Sequence, residues 1–345
     1  MAFFDCKKKL IKYLPHFRYY KSMDFKTFTA AKNDDGRRLD KIIRIFAPEL
    51  TLSEVYKYIR KGLIKINGKK AKNDSRVNEN DQIQIAAFIL SSQNTDKNDD
   101  SAENGAEYKA PAHVTPVFEN EHLLIIDKPY DISVHGSGTS LEKEVLDYYK
   151  NSRNEASLSF RPGPLHRLDR KTTGLLCFSM SLEGARWFSG NIKTHAIQKK
   201  YAALLEGKLT KTEVWEDKLE KDDAPSKNAF HTVKASEDGK NALTIVTPAA
   251  HGVFNNREVT LAVLDIKTGR THQIRSQSAL HHHPLAGDTA YGGAVIKNSK
   301  KDFYLQAFSL TFPENPVGLP QEVKIELSDD FKSILKLYGI QNFDI

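Results

Sequence analysis

The stretch from 164 to 174, PLHRLDRKTTG, holds one carboxylate, Asp169, between Arg167 and Arg170, with His166 just ahead of it. A single acid among fixed cations is either a structural ion pair or a reactive group in a cleft that binds anions. Three further segments concentrate side chains able to do chemistry: DKPYDISVHGSG at 127–138, KKYAALLEG at 199–207 and TGRTHQIRSQSALHHHPLAGDTAYGG at 268–293. Each joins a strand-like run to a turn with Gly or Pro, which predicts loops along one rim of a sheet. One carboxylate speaks against glycoside hydrolysis, where acids usually work in pairs. His281-His282-His283 with Asp288 nearby invites a metal reading, but adjacent histidines rarely converge on one ion, so no metal is expected. Neither GxGxxG nor GxxxxGKS/T occurs, so no dinucleotide or nucleoside-triphosphate site is signalled.

The elements that must position these segments read as a mixture. HLLIIDKP, GLLCFSMS, KKYAALLEG and EVTLAVLDI read as strands, and SLEKEVLDYYK and SLEGARWFSGNI as helices. Without regular βαβ alternation, the pattern predicts an α+β fold with a largely antiparallel sheet.

Upstream lies a small module at 36–90. RRLDKIIRIFAP carries a helical apolar stripe that Pro48 ends. TLSEVYKYIRKG follows, with Thr51 or Ser53 as N-cap and Gly62 as terminator. LIKINGKKA reads as a hairpin turning at Asn67-Gly68, and DQIQIAAF as a closing strand. Residues 37–72 hold eleven Lys/Arg against three Asp/Glu, a local +8 that exceeds the +7 of the whole chain. That density predicts a phosphate-binding face, with Arg37, Arg38, Lys57, Arg60, Lys61, Lys65, Lys69 and Lys70 as candidates.

Residues 91–112 are polar and acidic without periodicity and read as a flexible linker; 113–345 form the second domain. Residues 1–35 read as a basic extension. LIKYL is too short for a signal sequence, and either Met1 or Met23 could begin translation. At 345 residues, 39% hydrophobic and 28% charged, the chain supports two or three domains with real cores. A pI of about 9.0 favours a polyanion partner. No run of eighteen apolar residues suggests a membrane span, and Cys6 and Cys177 offer no disulfide framework, which fits a reducing, cytoplasmic setting.

HRLDRKTTGLL, KPxxxxVH, KKYAALLEG and TGRTHQIR with HPLAGDTAYG together resemble the RluA-type pseudouridine synthases over about 115–325. The 36–90 module resembles the S4 RNA-binding domain and matches the members that modify large-subunit ribosomal RNA. The resemblance implies an S4-like module followed by a catalytic domain with a mainly antiparallel mixed sheet and a central cleft. It implies that Asp169 is the catalytic aspartate, that Arg275 pairs with it, and that Tyr201 lies against the target uracil. Arg167 would take the place of the flipped nucleotide in the helical stack. Lys128, Thr172, Gly269 and Arg270 complete the substrate-binding set, with His166 and His272 as supports.

Uridine and pseudouridine are isomers, so no redox cofactor, ATP or metal is expected, and the partner is structured RNA, 23S-type ribosomal RNA first, bound by a monomer. Transfer RNA is the alternative substrate. A non-catalytic assembly factor and a metal-dependent phosphodiesterase using Asp169, Asp288 and the histidines are the competing readings. Three departures from the family pattern stand out: Asp131 for a Gly, Thr173 for a Ser, and Ser276-Gln277 after Arg275. Asp tolerates a left-handed turn better than most residues; the Ser-Gln pair, next to the expected catalytic pair, bears on substrate fit.

Overall fold

The computed structural model describes residues 24–91, 113–136, 138–152, 157–221, 232–297 and 299–345. The basic extension before residue 24 and nearly all of the proposed linker lie outside the described residues. The chain divides into two compact units, 1–107 with 155–160, and 108–154 with 161–345.

The first unit is a four-stranded antiparallel sheet with three α-helices among the described residues. Its strands are β1 (Phe25–Thr29), β2 (Ile64–Ile66), β3 (Lys69–Lys70) and β4 (Gln82–Ala86), in the order β1-β4-β2-β3. Helices α1 (Leu39–Phe46) and α2 (Leu52–Arg60) precede β2, and the short α3 (Ala87–Ser91) follows β4. Thr51 caps α2 in a reciprocal box with Glu54. The turn between β2 and β3 is left-handed at Asn67 and Gly68, as the hairpin reading required. Leu39, Ile42, Ile43, Val55, Ile59, Ile64, Ile83 and Ile85 form the core. The unit is wider than 36–90, because β1 pairs along the whole of β4. It also takes in 155–160: the buried Asp34 carboxylate accepts from Ser157 Oγ, both Ser159 donors and the Leu158 amide at 2.6–2.9 Å.

The second unit carries one ten-stranded sheet. Its strands are β5 (Pro116–Glu119), β6 (Leu123–Lys128), β7 (Thr173–Ser179), β8 (Gln198–Glu206), β9 (Glu213–Lys221), β10 (Val233–Ala235), β11 (Lys240–Phe254), β12 (Arg257–Ile266), β13 (Leu305–Thr311) and β14 (Glu322–Lys324). The order is β10-β9-β11-β12-β8-β13-β7-β6-β5, with β14 on β13. Only β13 and β7 run parallel, so the sheet is mixed and mainly antiparallel, the α+β architecture expected. Helices α4 (Leu141–Ser152), α5 (Leu182–Lys193), α6 (Gln273–Leu280) and α7 (Asp329–Leu337) complete it. Phe188 of α5 packs with Ile125, Leu175 and Leu310, and Phe331 and Leu335 of α7 pack with Leu204, Leu261 and Phe308. Gly174, the second residue of the buried strand β7, has φ 107°, and a Cβ there would stand 2.1 Å from the Ala307 carbonyl oxygen. Only glycine lets β7 meet β13 there, directly after the segment that carries Asp169.

Candidate active site

Asp169 sits in the loop that enters β7, and buried polar groups hold that loop from behind. Lys128, at the end of β6, is 0% exposed and donates to the carbonyl oxygens of Pro129, Arg170 and Thr172 at 2.8–2.9 Å. Three donors meet three acceptors, so the ammonium is satisfied. Burial lowers its pKa to about 8, against the opposing charges of Asp169 and Asp131. His166 accepts the Cys177 amide on Nε2 at 3.1 Å and stacks on Phe188. That acceptor role needs a neutral ring, and burial pushes its pKa down to about 3. Lys128 therefore holds the loop with all three donors engaged, which corrects the expectation that it binds substrate; His166 steadies the loop through Nε2, the supporting role expected of it, and also lines the cleft described below. Thr172 likewise is 2% exposed, its amide donating to the Asp169 carbonyl and its own carbonyl accepting from Lys128.

Neither arginine beside Asp169 pairs with it. Arg170 forks onto Asp131, which takes a left-handed φ of 65° at the departure noted above. Arg167, exposed, donates to Thr271 Oγ1. Among the described residues the one ionisable partner within 4 Å of the Asp169 carboxylate is His272, Nε2 to Oδ2 at 3.8 Å. Tyr291 sets that imidazole: its hydroxyl accepts the Val233 amide at 2.9 Å and lies 2.9 Å from His272 Nδ1. With the Tyr291 proton donated to Nδ1, His272 carries its own proton on Nε2, facing Asp169. Burial lowers the His272 pKa; Asp169 opposes that and Arg275 adds to it.

Arg275 is on α6, not on a loop, and its forked contact goes to Asp288: Nε to Oδ2 at 2.6 Å and Nη2 to Oδ1 at 2.8 Å. This corrects the expected Arg275–Asp169 pair. Asp288 is 2% exposed and follows Gly287, where a Cβ would lie 1.9 Å from the Asp302 carbonyl oxygen. The guanidinium lies between the rings of Tyr291 and Phe303, 4.8 and 4.7 Å from their centroids. Burial works against its charge, but hydrogen bonding to Asp288, then the fields of Asp288 and Asp169, carry its pKa above the ordinary value. Asp169 thus feels Arg275 through space.

Tyr201 lies within β8, paired with Leu264 and Ala307, and is 6% exposed. Burial first, and the charge of Asp169 second, raise its phenol pKa. A hollow of about 60 Å³ borders Asp169, Tyr201, Thr172, His272 and Arg275, room for about two waters. Beside it opens a cleft of about 480 Å³, lined by Arg167, Asp169, Tyr201, Gly269 and Arg270 among others, in the range of small-molecule sites. Asp169 is the one carboxylate among the described residues lining either space.

Sequence reading missed Asp288 as a partner of Arg275, and it missed Tyr291 and Phe303; the signal for the first two was the tail of HPLAGDTAYG. The Ser276-Gln277 departure does not reach the cleft. Gln277, on the buried face of α6, donates to the Trp215 carbonyl and Asp217 and accepts from Thr244. The histidine triplet diverges: His281 faces Asp217, and His283 the Glu206 carbonyl. With Asp288 held by Arg275, the groups a phosphodiesterase would need do not converge.

In the first unit, Lys57, Arg60, Lys61, Lys69 and Lys70 are exposed. Lys65 is half-buried over the Phe25 ring. Arg38 instead forks onto Asp40 at 3.0 Å and reaches Tyr56, and Arg37 donates to the Ser159 carbonyl, so these two guanidinium groups are already engaged.

Residues 122–280 match the RNA pseudouridylate synthase family, and residues 37–83 match the S4 domain. "Ribosomal large subunit pseudouridine synthase C" of Buchnera aphidicola is 29% identical over 88% of this chain and 95% of its own length. The protein of that name from Haemophilus influenzae is 27% identical over 90% of this chain and 94% of its own. Among solved structures, human RNA pseudouridylate synthase domain containing 1 superposes with a TM-score of 0.53 at 22% identity, covering 69% of this chain and 92% of that one, a likeness of fold.

Proposed function

The chain belongs to the RNA pseudouridylate synthase family, with an S4 domain in front, and we propose that it isomerises uridines of large-subunit ribosomal RNA with Asp169 as the catalytic group. The observation that carries the assignment is the state of Asp169: a lone carboxylate at a nucleotide-sized cleft, its flanking arginines engaged elsewhere. The reaction breaks N1–C1′, turns the base, joins C5 to C1′, and moves one proton from C5 to N1. The target base must first leave its stack, at a cost of roughly a few kcal/mol that phosphate contacts offset. Tyr201, at the cleft beside Asp169, is the ring against which the uracil stacks. Arg275 acts on Asp169 through space, and His272 orients its carboxylate.

The ribosomal target is supported by the names of the curated relatives and by the exposed cations of the S4 domain. This reading takes the cytoplasm as the place where the enzyme meets that substrate. One chain supplies every group named here, so a monomer suffices. No described helix is long and apolar enough to cross a membrane.

The test is tritium release from RNA labelled at uridine C5, with total ribosomal RNA from cells lacking this protein and a chelator present. Wild type releases tritium and Asp169→Asn does not. No release by the wild type from ribosomal RNA, with release from transfer RNA, would move the substrate to transfer RNA.

A further inference from the structure

Lys199 lies two residues before Tyr201 on β8, so both side chains leave the same face of the sheet, and both line the 480 Å³ cleft. Lys199 is 8% exposed. Among the described residues, no hydrogen bond or ion pair within 4 Å holds its ammonium. Burial lowers its pKa, opposed by the field of Asp265, whose Oδ2 is taken by Lys267 at 2.5 Å. The contrast with Lys128 is instructive: there three carbonyls satisfy the three donors. A buried cation left unpaired is costly unless an anion arrives to meet it. The rest of the cleft points the same way, since Arg167, Lys193 and Arg270 add permanent positive charge and Asp169 alone opposes it.

We propose that the Lys193–Lys199 side of the cleft is a phosphate subsite, in which Lys199 neutralises one backbone phosphate flanking the flipped uridine. The proposal rests on RNA being the substrate and specifies how that substrate is held. A flipped nucleotide carries phosphates on both sides of its ribose. A fixed cation that takes one of them sets how deep the sugar enters, and so where C1′ stands relative to Asp169. Apolar walls at Leu165, Ile192 and Ile266 exclude water and strengthen that contact. A uracil carbonyl is the other group an ammonium could meet, but it is neutral and releases no counterion on binding.

Salt dependence separates the two. Affinity for a ribosomal RNA stem-loop presenting an unpaired uridine is measured across a potassium chloride series, in an Asp169→Asn background so that turnover does not intervene. Lys199→Met weakens binding about ten-fold and reduces the slope of log K against log salt by roughly 0.7–0.9, one phosphate contact. Lys199→Arg restores the slope, and Lys200→Met, on the opposite face of β8, leaves it unchanged. An unchanged slope in Lys199→Met overturns the proposal; if Lys199→Met with Asp169 intact then also converts uridine more slowly, Lys199 is assigned to the uracil instead. Thermal melts identify a variant that fails to fold. In that case single methylphosphonate linkages around the uridine are tested against protein with Lys199 intact: one sensitive linkage supports the subsite, and none overturns it. Absence of pseudouridine with every RNA tried would remove the catalytic assignment, while the slope would still report on Lys199.

Discussion

Arg275 and Asp288 form a forked ion pair, 2.6 and 2.8 Å, with the carboxylate 2% exposed and the guanidinium between two aromatic rings. The pair ties α6 to the segment after Gly287, and it points the positive field of Arg275 at Asp169 without a direct bond. Removing one partner of a buried pair leaves an uncompensated charge and costs about 3–5 kcal/mol. Asp288→Ala is therefore expected to lose about 3 kcal/mol in urea unfolding and at least ten-fold in tritium release. Wild-type stability in Asp288→Ala would show that the pair does not hold α6.

Among the described residues Asp169 has no forked partner, and His272 is the one ionisable group within 4 Å of its carboxylate. Its loss should thus spare the fold. Asp169→Asn is expected to bind RNA with wild-type affinity, unfold within about 0.5 kcal/mol of wild type, and make no pseudouridine. A collapse of stability or binding equal to the loss of product would make Asp169 structural.

The elements legible in the sequence are those with an apolar period: α1, α2, β6, β7, β8 and β12 each bury one stripe or a continuous run. Helix α6 was hidden because, apart from Ile274, what it buries is polar. Gln273, Ser276, Gln277 and Ser278 have no apolar stripe to reveal, and Gln273 and Gln277 are satisfied by β9 and β11 and the loop after β12. Strand β9 was hidden because it is charged along most of its length and buries Trp215 and Leu219 alone. Asp169, Tyr201 and Arg275 came together as a set through the family resemblance of their motifs, and all three border the 60 Å³ hollow. Which acid Arg275 holds was not readable, because two carboxylates compete for it and only tertiary geometry decides.

Lys128 makes a sharper case of a residue whose type alone misleads. Its three bonds end on loop carbonyls, so Lys128→Met leaves those oxygens buried without a donor, each at about 1–3 kcal/mol. The expected result is a loss of at least about 3 kcal/mol in urea unfolding and loss of product. If Lys128 instead bound RNA, the variant would keep its stability and lose affinity with a smaller salt slope.

The acid response of the fold should pass through His166. In the folded chain its Nε2 accepts the Cys177 amide, and the ring resists protonation down to about pH 3. In the unfolded chain the ring takes a proton below about 6.5. Between these values the unfolded state binds more protons, so stability falls as pH falls, by at most about 1.4 kcal/mol per pH unit from this one group. His166→Gln keeps an oxygen able to accept from the Cys177 amide and removes the titration. Urea unfolding of both proteins at pH 7, 6, 5 and 4 reads the difference: the His166→Gln curve is expected to decline less steeply below pH 6.5. Parallel curves would mean that the folded ring takes its proton as readily as the unfolded one, and the clasp on Cys177 would have to be redrawn.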